Sequence, residues 1–138
     1  MGYALKDTQL KVTDPLPASA SSTQYSDAID LGHGSFGDFV APLEFKLTVP
    51  ALNTTMAPDT RTFTYSIVTA ATSDLSSSPT VVHASILTQT GAGGAGAATA
   101  NVTIRLPVDC QRYVGVKCVS GGSTGDASSV SLTFEALL

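Results

Sequence analysis

The sequence predicts an all-β protein, an antiparallel β-sandwich of eight strands, and three observations support this fold class. Apolar residues recur at every second position in one segment after another, which is the pattern of half-buried strands. No stretch shows a convincing period of about 3.6 residues, so helices that would connect parallel strands are not expected. All seven prolines lie between these segments or at their ends, where a missing backbone donor does least harm.

Eight segments carry the strand pattern. In LEFKLTV at 43–49 the apolar residues share one face and the polar residues share the other. TVVHASIL at 80–87 is apolar on both faces, so we expect it at the centre of a sheet. In chain order the segments are TQLKVT at 8–13, SDAIDL at 26–31, LEFKLTV at 43–49, RTFTYSIV at 61–68, TVVHASIL at 80–87, ANVTIRL at 100–106, RYVGVKCV at 112–119 and SVSLTFEAL at 129–137.

The connections between these segments have the composition of turns. SSSP at 76–79 separates two strands, and GGSTGD at 121–126 is expected to form a hairpin loop between the last two. Short strands at such spacing, without crossover helices, leave a sandwich or a barrel, and we favour a jelly roll. We expect a single domain over 1–138, with a candidate short N-terminal arm at 1–7.

Composition restricts the partners. The net charge is −4 and the seven basic residues are scattered, which argues against nucleic acid, because binding to phosphates depends on clustered Lys and Arg. No apolar run is long enough to span a membrane, and the start MGYALKDTQLKVTD lacks the apolar core of a signal peptide, so we expect synthesis in a cytoplasm. Charged residues are only 13% of the chain, whereas Ser and Thr supply 34 of 138 residues. A hydroxyl-rich surface of this kind is cheap to desolvate and is suited to contact with another protein.

The stretch GAGGAG at 91–96 has the spelling G-x-G-x-x-G of a dinucleotide-binding fingerprint. That fingerprint works only where a strand ends and a helix begins. Here the glycines precede the strand segment at 100–106, and no acidic residue stands about twenty residues further on. We therefore interpret the match as coincidence. Two interpretations of the loop stay open: a loose connector, or a docking loop that becomes ordered on binding a partner.

No constellation of catalytic or metal-binding residues is evident. The two histidines, His33 and His83, are fifty residues apart in the sequence. His33 lies near Asp30 and Asp38, where a solvated polar loop is the better interpretation than a cation site. His83 lies in an apolar strand, as a core or edge histidine. No G-x-S-x-G elbow is present. We expect a protein that is not an enzyme and has no cofactor, metal or small-molecule substrate.

The two cysteines are predicted not to bond with each other. If Cys110 and Cys118 lie on one extended strand, their Cα atoms are roughly 26 Å apart, whereas a disulfide needs about 7 Å or less. Cys118 is expected in the core, and a bond across a dimer stays open.

A glycan-binding module is the alternative function for such a sandwich, because sugars stack on exposed aromatic rings. The chain has no Trp, and most of its Phe and Tyr residues fall on core-facing positions. The exceptions are Tyr3, Tyr25, Phe36 and Phe39, which are candidates for a contact patch.

Four segments together resemble a known family. They are DTQLKVTD at 7–14, SSTQYSDAIDLG at 21–32, FTYSIVTAATSDLSSSPTVVHAS at 63–85 and RLPVDCQRYVGVKCVSGGSTGDASSVSLTFE at 105–135. In this order they resemble the jelly-roll capsid cement (decoration) proteins of tailed bacteriophages, of the Bordetella-phage type. The chain departs from that pattern at 91–96 and in HGSFGDF at 33–39.

The resemblance implies a non-enzymatic protein on the outer surface of a virion. It would bind the major capsid protein, bridge neighbouring subunits as a homodimer at two-fold positions, and stabilise the shell against internal DNA pressure. Termini and loops are the candidates for docking, here the segment 1–6 and the loop 91–98. The candidate partner-binding residues are Met1, Gly2, Tyr3, Gly91, Gly93, Gly94 and Gly96.

Overall fold

The computed structural model of the chain describes residues 10–19, 21–31, 44–107, 110–122 and 125–137. These residues form nine β-strands and no α-helix. In chain order the strands are β1 (Lys11–Pro15), β2 (Thr23–Tyr25), β3 (Ile29–Asp30), β4 (Glu44–Val49), β5 (Thr62–Ala70), β6 (Thr80–Thr90), β7 (Ala100–Arg105), β8 (Tyr113–Gly121) and β9 (Ser131–Leu137). The eight predicted strands are all present, and the ninth is the short β2.

The strands form two antiparallel sheets in jelly-roll order. One sheet has the order β1-β9-β4-β7, and the other has the order β2-β8-β5-β6, with β3 also paired to β8. Among the described strands only β5 and β6 are consecutive and paired with each other; most connections cross from one sheet to the other. A two-sheet fold that combines two Greek-key motifs in this strand order is a jelly roll. The predicted fold class is confirmed.

The core lies between the two sheets and follows the alternation in the sequence. In β4, Phe45, Leu47 and Val49 are fully buried, whereas the residues between them are partly exposed. The ring of Phe45 stacks on that of Phe134 from β9, with centroids 4.9 Å apart. Offset aromatic pairs of this kind add to the free energy gained by burial alone. The two-residue alternation therefore correctly predicted which side chains of the central strands are buried.

Strand β6 lies at the edge of its sheet, so the prediction that 80–87 is central was wrong. The register of β6 against β5 shifts between Tyr65 and Val68, because β6 carries extra residues there. At this bulge Ser85 has a φ of 50°, and its backbone N–H donates to Ser66 Oγ at 2.9 Å. A bulge changes which residues face inward. Apolar residues therefore occur on both faces of β6, although the strand is not buried on both faces.

The glycine-rich segment 121–126 was predicted to form a hairpin loop between β8 and β9. The structure places these strands in different sheets, where β8 pairs with β2, β3 and β5, and β9 pairs with β1 and β4. The segment therefore belongs to a crossover connection. Turn residues identify a change of direction, but the partner of each strand depends on contacts between distant parts of the chain.

A buried arginine joins the loops at one end of the sandwich. Arg61 is fully buried, and its guanidinium donates to the carbonyls of Ser19 and Gly125 and to Ser120 Oγ. The guanidinium carbon lies 4.6 Å from the ring centre of Phe63, within cation–π distance. Burial lowers the pKa of the Arg61 guanidinium, which nevertheless stays protonated because arginine does not lose its proton in proteins. Arg61 therefore connects three separate segments.

A second, smaller apolar cluster lies on the outer face of the β8-β5 sheet. The loop that follows β5 folds back over this face and buries Leu75 against Val68 and Ala70. Gly115 in β8 makes this approach possible, because a Cβ there would lie 2.3 Å from Leu75 Cδ1 and 2.7 Å from Ser26 Oγ. The loop consequently stands above the sheet beside β2, and a cleft opens between them.

Candidate functional site

The glycine-rich segment at 91–96 lies in the connection from β6 to β7, which belong to different sheets. It folds back on itself through two backbone hydrogen bonds between Ala92 and the residues Ala95 and Gly96, and we refer to this turned segment as the hairpin. Gly93 and Gly94 have φ values of 63° and 67°, and the N–H of Ala95 donates to the carbonyl of Ala92 at 3.1 Å. Positive φ at both central residues defines a type I′ turn. The segment therefore has a defined conformation that is held by backbone hydrogen bonds within the chain.

The outer glycines of this hairpin serve close packing. A Cβ at Gly91 would lie 2.2 Å from the carbonyl oxygen of Ala57, and a Cβ at Gly96 would lie 2.0 Å from that of Leu52. Both glycines are buried. Ala97 and Leu52 exchange two backbone hydrogen bonds of 2.8 and 2.9 Å. Gly91 and Gly96 thus bind the hairpin to this chain's own loop at 51–60 and offer no surface to a partner.

The central glycines are the part of the hairpin that faces outward. Gly93 and Gly94 are exposed, and a Cβ at either position would meet nothing within 4 Å. The N–H of Gly94 donates to Asp59 Oδ1 at 2.9 Å, which holds the tip in place. The glycines lead from strand to strand, so the rejection of a dinucleotide fingerprint agrees with the structure. Of the predicted docking residues in this loop, Gly93 and Gly94 are accessible.

Other predicted site residues lie outside the described residues. These are Met1, Gly2 and Tyr3 of the candidate N-terminal arm, together with His33, Phe36 and Phe39. Of the four aromatic residues predicted outside the core, Tyr25 alone lies within the described part of the chain.

His83 lies on the edge strand β6 and connects the two sheets. Its Nε2 is 2.7 Å from the carbonyl oxygen of Arg105 on β7, so this nitrogen carries the proton and donates. This position agrees with the interpretation of His83 as a core or edge histidine. Within the described residues, no group of three or more His, Cys, Asp or Glu side chains could hold a metal ion.

The two cysteines are buried in the core and form no disulfide. Burial raises the pKa of the Cys118 thiol to about 12. Tyr65 lies beside it, and the hydroxyl of Tyr65 donates to Gln89 Oε1 at 2.7 Å. A neutral, enclosed thiol is a poor nucleophile. The interpretation of Cys118 as a core residue is confirmed.

The described surface has an open cleft of about 380 Å³ between β2 and the loop after β5. One wall consists of β2 and the two residues that follow it, and the other consists of the loop that Leu75 anchors. The residues that line the cleft are Thr23, Gln24, Tyr25, Ser26, Asp27, Ser73, Asp74, Leu75 and Ser76. We refer to this feature as the Tyr25 cleft.

Hydrogen bonds within the chain fix both walls of the Tyr25 cleft. In the β2 wall, the N–H of Ser26 donates to the carbonyl of Val116 at 2.9 Å, and Ser26 Oγ accepts from the N–H of Val116 at 2.9 Å. In the loop wall, Asp74 Oδ1 accepts from the N–H and the hydroxyl of Ser76, at 3.0 and 2.6 Å. Asp74 thereby closes an Asx-turn of the kind that stabilises tight loops. These hydrogen bonds therefore hold the two walls of the cleft in place within the folded chain.

The charges of the Tyr25 cleft are negative. The two hydrogen bonds from Ser76 lower the pKa of the Asp74 carboxyl. Asp27 is exposed, and its backbone N–H donates to Asp14 Oδ2 at 3.0 Å. Partial burial raises the pKa of Asp14, and the nearby Asp27 carboxylate acts in the same direction. No Lys or Arg is among the residues that line the cleft.

Sequence reasoning singled out Tyr25 but not the cleft around it. Asp74 and Leu75 lie about fifty residues further along the chain, and their approach depends on the loop folding back over the sheet. The signal that could have found it is the apolar Leu75 inside an otherwise polar loop, directly after an Asp with Ser two residues on. That pattern is typical of an Asx-turn with a buried anchor.

Comparison with known proteins gives no assignment: neither a protein-family model nor a curated protein matches the chain. The described residues include no helix with the length and hydropathy that crossing a membrane requires.

Proposed function

We propose that this protein is a capsid decoration protein, which binds the outer surface of a tailed-phage shell and bridges neighbouring major capsid protein subunits. The observation that carries the proposal is the combination of a jelly-roll strand order with the ordered resemblance of four segments to cement proteins of this type. Two of those segments cover β1 and the stretch from the end of β7 to β9. They therefore coincide with elements of the framework.

The outer face of the sheet β1-β9-β4-β7 has the properties that docking requires. Glu135 stands between Lys11 and Lys46 in the register of the three strands, so charges alternate in sign across the face. The next row that faces outward is Thr13, Thr133 and Thr48. Alternating charges nearly cancel, and threonine hydroxyls are less costly to desolvate than unpaired charges. Such a face can approach a protein lattice at a modest energetic cost.

The exposed tip at Gly93 and Gly94 is the proposed point of insertion into the lattice. A tip without side chains allows two backbones to approach closely. Because the hairpin is already ordered, little conformational entropy is lost when it docks. The body of the sandwich then serves as a stiff spacer between the subunits that it contacts.

The protein is proposed to act as a homodimer at two-fold positions, as the resemblance implies. A dimer that touches several capsid subunits gains from effective concentration, since once one contact is made the others are intramolecular. Contacts that are individually modest then hold the shell together, because internal pressure must break many of them at the same time.

The test measures binding of the purified protein to shells of the corresponding phage that lack it. Ala95 is exposed beside the glycine tip, so Ala95→Arg adds a large charged side chain outside the packed part of the hairpin. We expect this variant to bind the shells at least about tenfold more weakly, a change of about 1.4 kcal/mol. Ala71→Arg is the matched control, because Ala71 is also exposed but lies in the loop at the other end of β5 and β6.

Three results are informative in this experiment. Weak binding by Ala95→Arg with normal binding by Ala71→Arg supports insertion of the tip. Equal binding by both variants and the wild type removes the hairpin from the interface. Failure of the wild-type protein to bind the shells at all, or its absence from the outer surface in an image reconstruction of the virion, contradicts the proposed function itself.

A further inference from the structure

We infer that the Tyr25 cleft is a binding site for a neutral saccharide. This site is separate from the proposed contact with the capsid. Its volume of about 380 Å³ lies within the range of small-molecule sites, roughly 300–1,000 Å³. It is open to solvent and is held by the hydrogen bonds of Ser26 and Asp74 described above. Its shape therefore exists before any ligand binds.

The lining of the cleft matches the chemistry of a sugar. Tyr25 is half-buried and packs against the cluster around Leu75, and its ring is the aromatic surface of the cleft. A pyranose ring has an apolar face of C–H groups that packs on such a ring, while its hydroxyls need hydrogen-bond partners around the edge. Asp27 and Asp74 supply acceptors among these partners. A carboxylate accepts only, and its two oxygens can receive hydroxyl groups from neighbouring carbons.

Several polar groups of the cleft are available to a ligand. The hydroxyls of Thr23 and Tyr25 and the carboxylate of Asp27 have no hydrogen-bond partner among the described residues. Gln24 is not one of these groups, because it lies on the face of β2 opposite Tyr25, where its side-chain N–H donates to the carbonyl of Pro15 at 2.6 Å. Donors and acceptors thus lie together around one aromatic ring, and polyhydroxylated ligands use both kinds.

Other classes of ligand fit less well. Asp27 and Asp74 line the cleft, and Asp14 accepts from the backbone N–H of Asp27. These three carboxyl groups outnumber the neighbouring cation Lys117, which pairs with Tyr25 in the register of β2 and β8. The net negative charge disfavours phosphates, sulfated sugars and sialic acids. An apolar ligand would desolvate two carboxylates without compensation. The described part of the chain holds no group of three acidic, Cys or His side chains that suits a metal ion. A neutral saccharide avoids each of these penalties.

The position of the cleft relative to the hairpin determines which side of the particle it faces. The loop with Asp74 follows the end of β5, whereas the hairpin at 91–97 follows the end of its antiparallel partner β6. The two features therefore lie toward opposite ends of that sheet. If the hairpin docks on a shell, the cleft faces away from it and meets polysaccharide outside the particle. This orientation depends on the proposed function, whereas binding of sugar in the cleft does not.

The experiment is a titration of the isotope-labelled protein with neutral sugars, followed by amide chemical shifts. The probes are glucose, galactose, mannose, rhamnose, N-acetylglucosamine and N-acetylgalactosamine, as monosaccharides and short oligosaccharides, with N-acetylneuraminic acid as the anionic comparison. We expect at least one neutral sugar to bind with a dissociation constant of about 1 mM or tighter. The shifts should concentrate on residues 23–27 and 73–76, and the anionic sugar should bind more weakly.

Two substitutions test the residues that carry the inference. Asp27→Ala removes an exposed carboxylate without a side-chain partner, and we expect it to weaken binding about tenfold or more. Tyr25→Leu keeps an apolar side chain but removes the ring, with a loss of similar size. Glu135→Ala is the matched control, because it removes one negative charge from the other sheet. A thermal melt of each variant checks that it is folded.

The inference is overturned if no neutral sugar in the panel shifts the cleft residues, or if Asp27→Ala binds as tightly as the control. It is also overturned if Asp27→Ala loses binding to capsids, because the cleft is then a protein contact. Loss of capsid binding by Ala95→Arg, with sugar binding intact, leaves the inference standing and separates it from the proposed function.

Discussion

Replacing the buried Arg61 is expected to be among the most destabilising single substitutions in the chain. In Arg61→Ala, the acceptors on Ser19, Gly125 and Ser120 each lose a donor, at about 1 kcal/mol apiece. Loss of the guanidinium from its position 4.6 Å from the ring centre of Phe63 adds about 1 kcal/mol more. The expected total is about 4 kcal/mol, and for a domain of this size the melting temperature should fall by about 15 °C.

The measurement is thermal and urea unfolding followed by far-ultraviolet circular dichroism, since the chain has no Trp for fluorescence. Arg61→Lys keeps the charge but places one nitrogen where the guanidinium reached three acceptors, and we expect it to lose about 2 kcal/mol. Arg105→Ala is the control, because Arg105 pairs with Glu44 on an exposed face, where such pairs contribute about 0–1 kcal/mol. Equal melting temperatures for Arg61→Ala and Arg105→Ala would refute the role of Arg61 as a connection between loops.

Two further predictions concern the glycines of the hairpin and the carboxyl groups of Asp14 and Asp74. Gly96→Ala should destabilise the fold by about 2 kcal/mol or more, because φ is 71° and the new Cβ would lie 2.0 Å from a carbonyl oxygen. Gly93→Asn should leave stability nearly unchanged, because its Cβ has open space and Asn suits a type I′ turn. Urea unfolding compares the two variants, and equal midpoints would contradict the packing of Gly96 against the loop at 51–60. In a pH titration followed by the carboxyl ¹³C shifts, Asp74 should titrate below its ordinary pKa of 3.8, and Asp14 should titrate above its ordinary pKa of 3.8. The stabilisation from Asp74 is then complete above the unfolded value and is lost as the pH falls through the folded one, while ionised Asp14 opposes folding at neutral pH; a reversed order of the two midpoints would contradict the assigned hydrogen bonds and burial.

The strands were predictable where their alternation was strong. Segments such as 43–49 have apolar residues on one face only, and no other regular structure buries that pattern. The short β2 at Thr23–Tyr25 escaped prediction because three polar or half-polar residues carry too little pattern to stand out. It forms because its backbone pairs with that of β8, and this pairing is available only once the sheet has assembled.

The candidate sites were less predictable than the strands. In the loop at 91–96 the sequence indicated glycines with unusual backbone freedom, but it did not separate the two that the chain buries from the two at the tip. That distinction depends on the carbonyls of Leu52 and Ala57, which approach from a loop some forty residues earlier. Arg61, one of the seven scattered basic residues, is buried for the same reason, since its acceptors lie near residue 19 and at 120–125, both far from it in the sequence.

Local patterning therefore determined this protein's class and most of its strands, because the direction of a side chain in a strand depends only on its position in the alternation. The tertiary structure decided which strands lie at the edges, which glycines are accessible, where a charge is buried, and that Tyr25 lines a cleft with Asp74. Each of these depends on contacts between residues far apart in the sequence, and such contacts exist only after the two sheets have closed on each other.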